Sequence, residues 1–172
     1  MIDEKNLNRR NFLKKSLAGA TILTFSKPLF AQTESPVATT KYGKVRGYID
    51  NNINVFKGIR YGADTSARRF MSPFPPEKWT DIKDASNFGK SSPQQGGRGE
   101  NQSEDCLFLN VFTPKLRDGG KRPVMFYIHG GAYSGGSGSN PLYDGVHLCN
   151  RGDVVIVSLN HRLNAFGYLY LA

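Results

Sequence analysis

At 172 residues the chain is long enough for one ordinary domain and too short for two large ones. Hydrophobic residues make up 38% and aromatics 12%, enough for a packed core, which excludes wholesale disorder. The formal charge of +9 raises the question of a nucleic-acid partner, but residues 1–31 hold six bases against two acids, and the +5 left on the remainder is scattered singly. Without a basic helix face or a stripe of interleaved aromatics, no phosphate-tracking surface is expected.

The first segment explains the excess charge. "NRRNFLKKSLAGATILTF" sets paired arginines before a short apolar run from Leu17 to Phe25, and "SKPLFAQ" then supplies a small residue at Ala31. That run is far below the ~20 apolar residues needed to cross a bilayer, so an export signal is expected rather than a stable membrane anchor. Basic and apolar residues stand in consecutive blocks, which does not suit an amphipathic helix. Arg9, Arg10, Phe12, Leu13 and Lys14 resemble a twin-arginine signal, although Asn8 replaces the usual Ser or Thr and Leu29 is large for its place before the cut. The resemblance implies a signal peptide over 1–31, the twin-arginine (Tat) export machinery as a partner, and a periplasmic or extracellular destination.

Residues 32–38 read as a linker. From Thr39 to Tyr61 the pattern alternates around a turn at "DNN", which predicts an antiparallel hairpin. Residues 62–103, rich in Gly, Pro, Ser and charge, predict loop with a short element near Trp79. "CLFLNVFT" alternates, placing Leu107, Leu109 and Val111 on one face and Phe108 and Phe112 on the other. "VMFYI" and "VVIVSL" are continuous β-branched and apolar runs, as expected of strands covered on both faces of an α/β sheet. The second run is expected to form an unfinished edge that lacks its parallel neighbour. Cys106 and Cys149 are too few for a disulfide framework and read as buried free thiols.

Between those runs lies "IHGGAYSGGSGSN". Glycines at 130 and 131 let the chain turn sharply after a strand, with the positive φ that only glycine adopts cheaply. They also leave main-chain N–H groups free to meet a developing negative charge on oxygen, often the largest electrostatic contribution in acyl transfer. His129 then positions the loop rather than acting as a base. The run fits neither the dinucleotide nor the P-loop phosphate pattern. Taken alone, a structural strand-to-loop turn accounts for it as well as an oxyanion hole does.

Several stretches in order carry a resemblance: "TKYGKVRG", "NVFKGIRYG", "ARRF" followed by Pro and Trp, "SEDCLFLNVFTP", "PVMFYIHGGAYSGGSG" and "VVIVSLNHRLNAFGYL". Together, over about residues 39–171, they resemble the type-B carboxylesterase and lipase family of α/β hydrolases. The resemblance implies an α/β fold, of which residues 39–172 are the N-terminal portion: antiparallel opening strands followed by parallel ones. It implies that the N–H groups of Gly131 and Ala132 point at the oxyanion, that Arg69 and Glu104 form a buried structural ion pair, that the substrate is a small-molecule ester, and that no metal or organic cofactor is needed. Departures are His161, Asn164 and Ala165 where the family has Tyr, Gly and Pro, and Arg60 at a usual Pro; Cys106 has no earlier partner.

The nucleophile of such enzymes sits in a G-x-S-x-G elbow, followed by an acid and a histidine. None occurs in these 172 residues; Ser137 in "GGSGS" comes nearest, but Ser139 fills the second glycine position, and His147 and His161 stand outside triad positions. The expectation is therefore the N-terminal part of a serine carboxylic ester hydrolase, holding the oxyanion loop but not the triad and inactive alone. The alternative is a non-catalytic carboxylesterase-like binding or adhesion module, since fold does not settle function. Retention of "HGGA", which a binder need not keep, favours the enzyme.

Overall fold

The computed structural model describes residues 34–96 and 101–170. The expected signal peptide of residues 1–31, with Arg9, Arg10 and Ala31, lies outside them. Among the described residues, eight strands form two sheets. In the smaller, β1 (Val37–Thr39) runs antiparallel to β2 (Lys44–Arg46), which runs parallel to the two-residue β5 (Lys83–Asp84). β1 takes up the last two residues of the expected linker, because Ala38 pairs with Val45 and packs toward the core.

The main sheet contains β3 (Tyr48–Asp50), β4 (Ile53–Arg60), β6 (Phe108–Thr113), β7 (Val124–Ile128) and β8 (Val155–Leu159), in the order β3-β4-β6-β8-β7. The "DNN" turn joins β3 to β4 through Asn51 and Asn52 at φ 46° and 67°. Two successive left-handed residues match the right-handed twist of a tight hairpin, and Asn tolerates that region better than most. From β3 to β8 each neighbour is antiparallel; β7 and β8 are parallel, joined over the sheet by a 3₁₀ turn (Pro141–Tyr143) and helix α1 (Val146–Gly152). A short helix, α2 (Asn164–Tyr168), follows β8.

Alternation along β6 sorts the two cores. Phe112 faces α1 and joins Ile53, Val55, Val146, Cys149 and Ile156 in one buried cluster. Val111 points the other way, onto Val45, Phe56, Ala85 and the half-exposed Trp79, which join the small sheet to the large one. The short element expected near Trp79 is β5; Trp79 itself lies in the loop before it, and its indole N–H donates to the Lys44 carbonyl at 2.8 Å. Asn110, between Phe108 and Phe112, is buried on the α1 side and sits opposite Ser158 on β8.

Two sequence expectations need correction. The run "VVIVSL" is not at the edge: β8 inserts between β6 and β7, and β7 is the edge strand. Nor is "VMFYI" covered, since Val124 to Ile128 are each between 40% and 62% exposed. The reason is reach, because α1 packs on β4, β6 and β8 and stops short of β7.

Cys106 and Cys149 are free and buried. Burial pushes the Cys106 thiol up to about 11, and raises that of Cys149, whose Sγ–H donates to the Phe112 carbonyl. Since the thiolate is the reactive form, neither should react with a disulfide reagent such as DTNB in the native chain, and both should react in denaturant. An exposed apolar edge strand is an aggregation template. The purified 172-residue chain should bind anilinonaphthalene sulfonate and self-associate, and Phe126→Lys should lessen both, as followed by dye fluorescence and light scattering.

Candidate functional site

The glycine-rich loop leaves the end of β7 and turns through three successive residues at positive φ: Gly131 at 127°, Ala132 at 51° and Tyr133 at 63°. For the two non-glycine residues this costs roughly 1–2 kcal/mol each. The loop's own bonds hold the turn. The Gly131 carbonyl accepts from the N–H groups of Ser134 at 3.0 Å and Gly135 at 3.2 Å and from the Ser134 hydroxyl at 3.0 Å. The Gly131 carbonyl and the Ala132 N–H belong to one trans peptide and point in opposite directions. Fixing the carbonyl inward therefore turns the Ala132 N–H outward. Among the described residues no acceptor meets the N–H of Gly131 or Ala132. Glycine is required at 131 because a Cβ there would overlap the Gly135 carbonyl.

The far end of the loop is tied down on the sheet. The Gly138 N–H donates to Asn160 Oδ1 at 2.7 Å, and its carbonyl accepts from Asn110 Nδ2 at 3.3 Å and the Ser158 hydroxyl at 3.1 Å. Asn160 Nδ2 in turn donates to the Lys90 carbonyl at 2.9 Å. Ser137, the nearest match to a nucleophile motif, is 2% exposed; its hydroxyl bonds to that of Ser139 and donates to Asn160 Oδ1 at 3.2 Å.

Gly131 and Ala132 line a cavity of about 330 Å³ together with His129, His161, Tyr133 and Tyr168. The two imidazoles stack with centroids 4.5 Å apart and planes 9° apart. His129 Nδ1 lies 2.9 Å from the Gly130 carbonyl and His161 Nδ1 lies 3.0 Å from that of Arg162, so each donates its Nδ1 proton to main chain. Tyr168 stands edge-on to His161 at 6.0 Å and packs against Tyr133 at 4.7 Å. His161, a departure from the family pattern, is thus a wall of the cavity, where its sequence position alone gave no role.

Arg69 and Glu104 meet across 35 residues, Arg69 Nε donating to the two carboxylate oxygens at 2.8 and 2.9 Å. The burial implied by the resemblance is not seen: the side chains are 58% and 16% exposed. The hydrogen bonds from Arg69 hold the Glu104 carboxyl below its ordinary range. A second pair escaped the sequence reading. Arg60, at the usual Pro, makes a two-pronged contact with Asp105, its Nη2 donating to Oδ2 at 2.7 Å, and this pair is the better sheltered, at 27% and 19% exposure. The signal was available in adjacent Glu104 and Asp105, each facing an arginine of the preceding segment.

A mixed sheet whose parallel pair is joined by a crossover helix, with a glycine loop turned outward at the end of one strand, defines part of an α/β hydrolase. The carboxylesterase family model matches residues 34–172, and the chain belongs to that family. It is 44% identical over 144 residues to the para-nitrobenzyl esterase of Bacillus subtilis, covering 79% of this chain and 29% of that protein. To the fumonisin B1 esterase of Sphingopyxis macrogoltabida it is 37% identical over 161 residues, 89% of this chain and 29% of that one. A solved para-nitrobenzyl esterase structure superposes with a TM-score of 0.74 at 46% identity, over 80% of this chain and 29% of that chain. The chain thus spans about three tenths of the length of these relatives.

The exposure of Arg69 limits what its ion pair contributes, since such pairs lose most of their attraction to solvent. Glu104→Gln should lower the thermal midpoint only marginally. Because the folded-state value of Glu104 is depressed, its contribution is present above the ordinary carboxylate pKa of ~4.3 and fades as pH falls through the lowered value. The small gap between parent and variant should therefore close in acid, as read by melting curves from neutral pH downward.

Proposed function

We propose that this chain is the oxyanion-binding portion of a serine carboxylic ester hydrolase, with Gly131 and Ala132 as the donors. The observation that carries the reading is the pair of adjacent N–H groups without acceptors, in a positive-φ turn that lines a cavity. Such groups cost no reorganisation when charge develops, which is what a tetrahedral intermediate of acyl transfer needs. A serine from a segment beyond Ala172 would attack the ester carbonyl, a histidine would carry its proton to the leaving alcohol, and the carbonyl oxygen would gain its charge beside Gly131 and Ala132. The relatives are named for ester substrates, which supports a small-molecule ester here. His129 serves by geometry: its Nδ1 proton on the Gly130 carbonyl braces the strand end. Ser137 is not the nucleophile, since its hydroxyl is buried and engaged by Ser139 and Asn160.

On this reading the 172-residue chain alone hydrolyses no ester, and residues 1–31 direct export by the twin-arginine route to the periplasm or beyond. Export is tested by changing Arg9 and Arg10 both to Lys: the processed protein should vanish from the periplasmic fraction, whereas an unchanged yield there would rule the route out.

The site is tested in the intact esterase with Gly131→Ala, whose Cβ must displace the Gly135 carbonyl and tilt the donors. Losing one such donor costs ~10²–10³ in kcat. The control is Gly152→Ala, remote from the loop at the end of α1, because an added Cβ there meets only the Val154 side chain, at 3.5 Å, and should change turnover little. Gly138 is no control, since a Cβ would press on Leu159 main chain. Turnover of a small activated ester is the measurement, with circular dichroism confirming the fold. Near-parental kcat in folded Gly131→Ala would remove the donors from the mechanism.

A further inference from the structure

The loop that bears the donors is held from outside by two side chains distant in sequence. The Gln94 carboxamide lies against Gly136 as a neighbouring strand would: Oε1 accepts from its N–H at 2.7 Å and Nε2 donates to its carbonyl at 2.9 Å. Gln94 is itself fixed, its second amide hydrogen on the Ser92 carbonyl at 3.1 Å and its own N–H on Gln102 Oε1 at 2.9 Å. Asn164 grips the same loop two residues earlier. Its N–H donates to the Tyr133 carbonyl at 2.8 Å, and its Nδ2 bridges the Ser134 carbonyl at 3.2 Å and the Pro93 carbonyl at 3.3 Å. Asn164 stands at φ 54°, which glycine would also adopt, but glycine would bring no amide to the bridge.

We propose that Gln94 and Asn164 are positioning residues for ester hydrolysis, a clamp that fixes the direction of the oxyanion donors; this rests on the reading of Gly131 and Ala132 given above. The link is continuous. The clamp immobilises residues 133–136, and the N–H groups of Ser134 and Gly135 hold the Gly131 carbonyl. That carbonyl sets the peptide plane from which the Ala132 N–H projects. The clamped segment is also the wall between the donor cavity and a second one of about 430 Å³, on whose side Gln94 and Asn164 lie. Neither side chain borders the cavity onto which the donors open, so both act through the loop and not on substrate.

The test compares Gln94→Ala, Asn164→Gly and Gly131→Ala in the intact esterase, by steady-state kinetics and by inhibition with a trifluoromethyl ketone, which forms a tetrahedral anionic adduct. Asn164→Gly keeps the left-handed backbone, so it remains informative should Gln94→Ala fail to fold. A misplacement of about 1 Å can cost ~10²-fold, and a loosened loop should lower kcat about tenfold, leave KM within about twofold, and weaken the ketone in step with kcat/KM. A rise in KM with kcat unchanged would make the two residues a substrate wall and overturn the clamp. Parental kinetics in both clamp variants, with Gly131→Ala impaired, would overturn it while the donor reading stands. Parental kinetics in all three would remove the donor reading and the clamp together.

Discussion

The peptide of Gly138 is gripped along both edges by side chains of the sheet beneath it: Asn160 takes its N–H, while Asn110 and Ser158 take its carbonyl. Asn110 and Ser158 can converge because they are register partners on adjacent strands, and Asn160 follows at the end of the same β8. A buried peptide left without partners would cost about 1–3 kcal/mol on each unpaired group, so the network fixes where the loop must land. With β7 as the other anchor, the chain has only residues 129–138 in which to leave the sheet and come back. So short an excursion leaves little freedom, and within it residues 131–133 turn at positive φ.

Backbone strain is concentrated in that run. Ala132 and Tyr133 occupy a region that L-residues avoid, and the conformation persists because its surroundings over-determine it: loop bonds onto the Gly131 carbonyl, Asn164 on Tyr133 and Gln94 on Gly136. With the Gly131 carbonyl held by Ser134 and Gly135, the N–H groups of Gly131 and Ala132 meet no acceptor among the described residues.

Much of the architecture was legible in the sequence because it rests on periodicity. The alternation of "FLNVFT" sorted Phe112 from Val111 correctly, and the "DNN" turn carried its own left-handed residues. Strand order was not legible. Two continuous apolar runs look alike, and only the crossover through α1 decides that β8 enters the middle and β7 takes the edge. At the site, the glycines announced a turn, but Gln94, Asn110 and Asn160 did not announce themselves. Their partners in the glycine loop lie 20 or more residues away, and an isolated amide has no pattern to read. Likewise the residue pair Arg69 and Glu104 was visible in sequence, while its exposure depends on what covers it.

The placement of β8 has a consequence for the order in which the molecule is made. β7 is synthesised some thirty residues before β8, yet among the described residues β8 is its only strand partner. Until residues 155–159 have left the ribosome and slotted in beside β6, β7 has no neighbour in register, and Asn160 is not there to receive Gly138. Parallel pairing through a crossover closes late because loop entropy must be overcome before its contacts form. During translation the glycine loop is therefore a flexible tether between an unpaired strand and a chain still emerging. The loop takes the shape described here only once β8, which follows it in sequence, lies between β6 and β7.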